Sequence, residues 1–77
     1  MVYYEDLINI TKDYLGPAAK RFIDRQISFH LEKDPNNLNK EDIKKLAEWV
    51  RVALGLLTED KKSILEAVSR IKKLAEK

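Results

Sequence analysis

LNKEDIKKLAEWVRVALGLL, residues 38–57, combines the clearest helix start in the chain with its densest apolar surface. Asn39 is a capping residue, since its side-chain oxygen accepts a hydrogen bond from the backbone N–H of Glu41 or Asp42, donors that lack a partner inside the helix. Asp42 falls in the first turn, where the helix dipole favours negative charge. Leu38, just before the cap, and Ile43, four positions into the helix, have the spacing of a hydrophobic staple. Ile43, Leu46, Ala47, Val50, Leu54 and Leu57 then recur at three-and-four spacing, which predicts one buried face.

The same helix carries a second apolar stripe, Trp49, Val52 and Leu56, roughly 135° around from the first. Two covers are open to it. A helix that is apolar nearly all round is usually the central one of a bundle, so neighbouring helices can bury both stripes. Alternatively the second stripe meets another chain, either a protein partner or a second copy, and a lone Trp on an apolar strip suits an interface anchor.

Upstream, residues 3–15 read as a first helix with Leu7, Ile8, Thr11, Tyr14 and Leu15 on one face. Tyr3 and Tyr4 are expected to pack over its end. Gly16-Pro17 is the sharpest punctuation in the chain: glycine takes the backbone geometry needed to leave one helix, and proline suits the first position of the next. A second helix is predicted over 17–33, burying Ala18, Ala19, Phe22, Ile23, Ile27, His30 and Leu31 and ending at Asp34-Pro35, because the residue before proline is pushed out of the helical region.

The organising helix covers about 40–56, Gly55 blurring its end. Downstream, Thr58 is expected to cap a fourth helix over 59–75. Glu59 and Asp60 lie in its first turn, Lys72, Lys73 and Lys77 toward its end, the charge order the dipole favours. Its predicted stripe is Ile64, Leu65, Val68, Ile71 and Ala75, with Leu74 at the margin and a Glu66–Arg70 pair outside. Four helices on short turns predict an all-α fold, a compact four-helix bundle made of two helical hairpins, in a single domain over residues 1–77.

Composition narrows the function classes. With 77 residues the chain is one small domain, and 44% hydrophobic against 36% charged residues fits an ordered helical one. No cysteine is present, which excludes disulfide and thiol chemistry and is compatible with a cytoplasmic protein. There is no apolar run long enough for a bilayer and no signal-peptide pattern at the start, so no membrane association is expected.

Candidate chemistry is sparse. His30 is the single histidine and has no cysteines to join it, so no metal site is predicted. The acidic pairs Glu41/Asp42 and Glu59/Asp60 sit at helix starts, where capping explains them. Two isolated glycines cannot build a phosphate loop. A non-catalytic protein without cofactor or small-molecule ligand is the resulting expectation. Lys20, Arg21 and Arg25 form a basic patch on the outward part of the second helix, open to an acidic partner or to nucleic acid, although Asp24 lies within it.

The stretch Tyr14-Leu15-Gly16-Pro17-Ala18-Ala19-Lys20, followed by Phe22-Ile23 and Arg25, resembles the "YIGPIAK" start of a small helical module. That module occurs at the C-terminal end of bacterial signalling proteins with serine/threonine kinase or forkhead-associated domains. Leu46-Ala47 and Ser63-Ile64-Leu65 are similar to its second half, and Ala18 stands where a larger apolar residue is usual. The resemblance implies a helical bundle with an accessory or docking role in signalling and no catalytic residues. Protein–protein interaction through Trp49, Val52 and Leu56 is therefore the primary expectation; the alternatives are a nucleic-acid-binding regulator using the second helix and a purely structural dimerisation domain.

Overall fold

Capping chemistry sets the central helix as its sequence requires. In the computed structural model, which describes residues 2–76, α1 spans Val2–Leu15, α2 Ala19–His30, α3 Lys40–Leu57 and α4 Lys61–Leu74, and no strand occurs among the described residues. Asn39 accepts the Asp42 backbone N–H at 2.9 Å, while the Asp42 carboxylate accepts the Asn39 N–H at 3.0 Å, a reciprocal capping box. Lys33 adds a 2.7 Å ion pair to the same carboxylate. Burial pushes the Asp42 pKa up, but the bonds from Lys33 and Asn39 and the charges of Lys33 and Lys45 outweigh it and hold the group below its ordinary value.

The core is one cluster to which every helix contributes. Leu7 of α1, Ile23 and Ile27 of α2, Ile43, Leu46, Ala47, Val50 and Leu54 of α3, and Ile64, Ala67, Val68, Ile71 and Leu74 of α4 are all buried. Tyr3, Tyr4, Ile8, Tyr14, Leu15 and Leu38 pack against it from the margin. Thr11 is also buried, and its hydroxyl donates to the Leu7 carbonyl at 2.7 Å, so its polar group is satisfied inside the helix. The broadest helix contact is α3 on α4; α1 packs on α2 and α4, and α2 on α3.

Five expectations about the elements are corrected. Gly16, at φ 57°, bends the chain, but Gly16–Ala18 is a 3₁₀ turn running straight into α2. The first half is thus a bent helical rod without an open loop, and the fold is all-α without a clean division into two separate hairpins. The second helix stops at His30, not Lys33: Glu32 takes a left-handed φ of 51°, and the N–H groups of Leu31 and Glu32 both bond to the Ile27 carbonyl at 3.0 Å. That early stop frees Lys33 to reach Asp42, while Asp34 caps a 3₁₀ turn over Pro35–Asn37.

At the other end, Asp60 rather than Thr58 caps α4, accepting the Ser63 N–H at 3.2 Å and its hydroxyl at 2.8 Å. Thr58 instead accepts the Asp60 N–H. The stripe of α4 is rotated from its predicted position. Ala67 and Leu74 are buried whereas Leu65 is exposed, so the small Ala67 takes the place on the inner face expected for Leu65. Arg70 reaches across to α1, pairing with Asp13 at 2.7 Å and donating to the Tyr14 hydroxyl, in place of the Glu66 pairing. Lys77 lies outside the described residues.

Candidate protein-binding surface

The second stripe of α3 stays largely open among the described residues. Trp49 is 44% exposed, Val52 57% and Leu56 85%. Leu57, predicted on the buried face, is also exposed, since α3 runs past the end of the core there. One intramolecular contact shapes the strip. His30, predicted on the buried face of the second helix, is exposed and lies flat on the Trp49 indole, with ring centroids 3.9 Å apart and planes 4° from parallel. His30 is the last residue of α2, and its ring lands on the middle of α3.

Next to the strip, α2 supplies a second apolar wall. Phe22, Arg25, Gln26 and Phe29 follow three-and-four spacing on one face of α2, and Phe29 is 70% exposed. Between this wall and α3 lies an open groove of about 310 Å³, bounded by Arg21, Phe22, Arg25 and Gln26 on one side and by Leu56 and Leu57 on the other. Gln26 is buried, and its Oε1 has no hydrogen-bond partner among the described residues. An orphan acceptor of this kind costs about 1–3 kcal/mol. Beyond Val52 the surface dips again beside Glu48, Arg51 and Gly55.

The charges around this surface are unequal in availability. Lys20 pairs with Asp24 at 2.8 Å, and the Tyr4 hydroxyl donates to the same carboxylate. Burial raises the Asp24 pKa, but these two bonds together with the Lys20 charge hold it below its ordinary value; burial and the bond to Asp24 raise that of Tyr4. The predicted basic patch is therefore split: Lys20 is answered by Asp24, whereas Arg21 and Arg25 make no ion pair among the described residues. Glu48 pairs with Lys72 at 3.1 Å, and Arg51 beside it likewise has no ion pair among the described residues.

Elsewhere the carboxylates serve structure. Asp42 and Asp60 cap helices, Asp13 and Asp24 hold cations, and Glu41 stands 3.7 Å from Lys44. Among the described residues no three His, Cys, Asp or Glu side chains come together as metal ligands, and no helix is long and apolar enough to cross a membrane.

Trp49, Val52 and Leu56 thus share one exposed face of α3, and Arg21 and Arg25 stand on the α2 wall of the adjoining groove. Sequence reasoning missed Phe29, Gln26 and the His30–Trp49 stack. Phe29 had a signal, since it repeats Phe22 seven residues later; the stack had none, because it depends on where α2 ends over α3. No protein-family model, curated protein or solved structure matches this chain.

Proposed function

We propose that this chain is a non-catalytic protein-interaction module that docks a partner through α3. The observation that carries the reading is the strip Trp49, Val52 and Leu56, exposed on a helix whose other face is fully buried. Large apolar side chains contiguous on a surface mark interaction sites more often than isolated ones. The stacked His30 strengthens the case, as an anchor already held in place loses less freedom on binding. The four helical segments act in this reading as one bundle, supported by the packing of α1 on α2 and of α3 on α4. An accessory role in signalling, in the cytoplasm, completes the proposal and is supported by the resemblance around Gly16-Pro17.

The test uses the single tryptophan as its own reporter. Its emission and iodide quenching are followed over a wide range of protein concentration. A red, quenchable Trp49 at high dilution is expected; protection on concentration identifies a second copy as the partner, and lasting exposure a different protein. Blue, shielded emission at the greatest dilution overturns the proposal. Paired substitutions Trp49→Ser and Val52→Asp should remove association and keep the helical circular dichroism signal.

A nucleic-acid role for α2 rests on Arg21 and Arg25, whose guanidinium groups make no ion pair among the described residues. Absence of binding to a duplex or a single strand at low salt ends that reading.

A further inference from the structure

Building on the docking role of α3, we infer that the occupant of the groove between α2 and α3 is an acidic amphipathic helix of a partner protein. Shape is the first argument. Phe22 and Arg25 on one wall and Ala53, Leu56 and Leu57 on the other line an open, mainly apolar groove, and exposed apolar side chains continue beyond it as Phe29 on α2 and as Val52 and Trp49 on α3. Such a valley accepts the apolar edge of a helix that repeats at i, i+3 or i+4, and i+7.

Charge is the second argument and selects among apolar partners. Arg21 and Arg25 border the groove on α2, and Arg51 borders the strip beyond Val52. Among the described residues none of the three has an ion-pair partner, while the neighbouring acids Asp24 and Glu48 are occupied by Lys20 and Lys72. The face therefore presents an apolar floor between unanswered guanidinium groups, which matches Leu- or Phe-bearing helices flanked by Asp or Glu. A second copy fits poorly, because a two-fold contact through this patch offers each arginine only the same patch, whose acids Asp24 and Glu48 already hold Lys20 and Lys72. Nucleic acid matches the arginines but leaves Trp49, Phe29 and Leu56 without apolar contact. Gly55 fits the same picture: a Cβ there would meet nothing within 4 Å, so no packing within the molecule requires a glycine, and its bare backbone allows close approach beside Val52.

The experiment pans a displayed library of random helical peptides against the full chain. The strongest consensus peptide is then synthesised with its acidic residues kept, or replaced by Gln or by Lys. An enriched apolar i, i+3/i+4, i+7 pattern rich in Asp and Glu is expected. Arg21→Glu with Arg25→Glu should weaken the acidic peptide about tenfold or more and favour the Lys version, with circular dichroism unchanged. Leu56→Lys should abolish binding of all three peptides. An apolar consensus with no charge bias overturns the acidic helix and leaves the docking role standing. Absence of any enriched peptide overturns both, and tighter binding of a DNA or RNA duplex than of any peptide assigns the arginines to nucleic acid instead.

Discussion

Val50 and Val52 lie two residues apart on the same helix, yet one is 1% exposed and the other 57%. Both have the same helix propensity and the same apolar surface. What separates them is position: Val50 belongs to the buried core cluster, and Val52 faces away from it. The inward face gains its stability from removal of apolar area from water, about 25 cal/mol per Å². The outward face contributes little to folding, so its apolar character has to be explained by what it meets outside the molecule.

Cutting each face back to alanine gives the largest contrast. Leu54→Ala should cost about 2–5 kcal/mol in urea unfolding, the usual range for a buried leucine, while Leu56→Ala, two residues on in the same helix but 85% exposed, should change stability by no more than about 0.5 kcal/mol. Comparable losses for the two would mean that α3 is covered on both sides.

The helix start offers a smaller, pH-dependent test that leaves both faces untouched. Asn39→Ala should cost about 1 kcal/mol, and Asp42→Ala more, since it removes the reciprocal cap together with the Lys33 pair. Because the Asp42 pKa is lowered in the folded state, its contribution is complete above the ordinary carboxylate range and is lost as the pH falls through the folded value. Acid titration of stability should therefore show a component below about pH 4 that Asp42→Asn removes.

Two glycines sharpen the point in opposite directions. A Cβ at either meets nothing within 4 Å, so backbone geometry alone sets the sign. Gly16→Ala forces an L-residue to φ 57° and should cost about 1–2 kcal/mol. Gly55→Ala, in ordinary helix on the outward side of α3, should stabilise by about 0.5–1 kcal/mol and raise the thermal midpoint by about 4 °C. A stabilised Gly55→Ala chain with weaker peptide binding would locate the reason for this glycine outside the fold. The smallest effect belongs to Arg70: its pair with Asp13 is solvent-exposed, so Arg70→Ala should cost under about 1 kcal/mol, and a double-mutant cycle should couple Arg70 to Asp13 and not to Glu66.

Legibility followed the range of the interactions. The start of α3 was readable because Asn39 and Asp42 are three residues apart and complete each other. Gly16 announced its bend for the same local reason. The stop at His30 was not readable: Glu32 carries no glycine-like signal, and the chain turns there as Lys33 reaches an acid nine residues on. Leu65 and Ala67 illustrate a second limit. Periodicity marks an apolar arc on α4, but the close approach of neighbouring helices decides that alanine goes inside and leucine outside. His30 sits at the edge of such an arc, and the end of α2 turned it outward onto Trp49.

What the sequence determined by itself was the all-α class, the approximate helices, the cap of α3 and the presence on that helix of an apolar stripe beyond the one the core uses, all properties of residues within a few positions of one another. Only the tertiary structure decided that this stripe stays open, that Phe29 joins it, and that Arg21, Arg25 and Arg51 stand unanswered while Lys20 and Glu48 do not. The reason is physical: whether a side chain is covered or a charge is paired depends on which atoms the fold brings within a few ångströms, and those atoms come from distant parts of the chain.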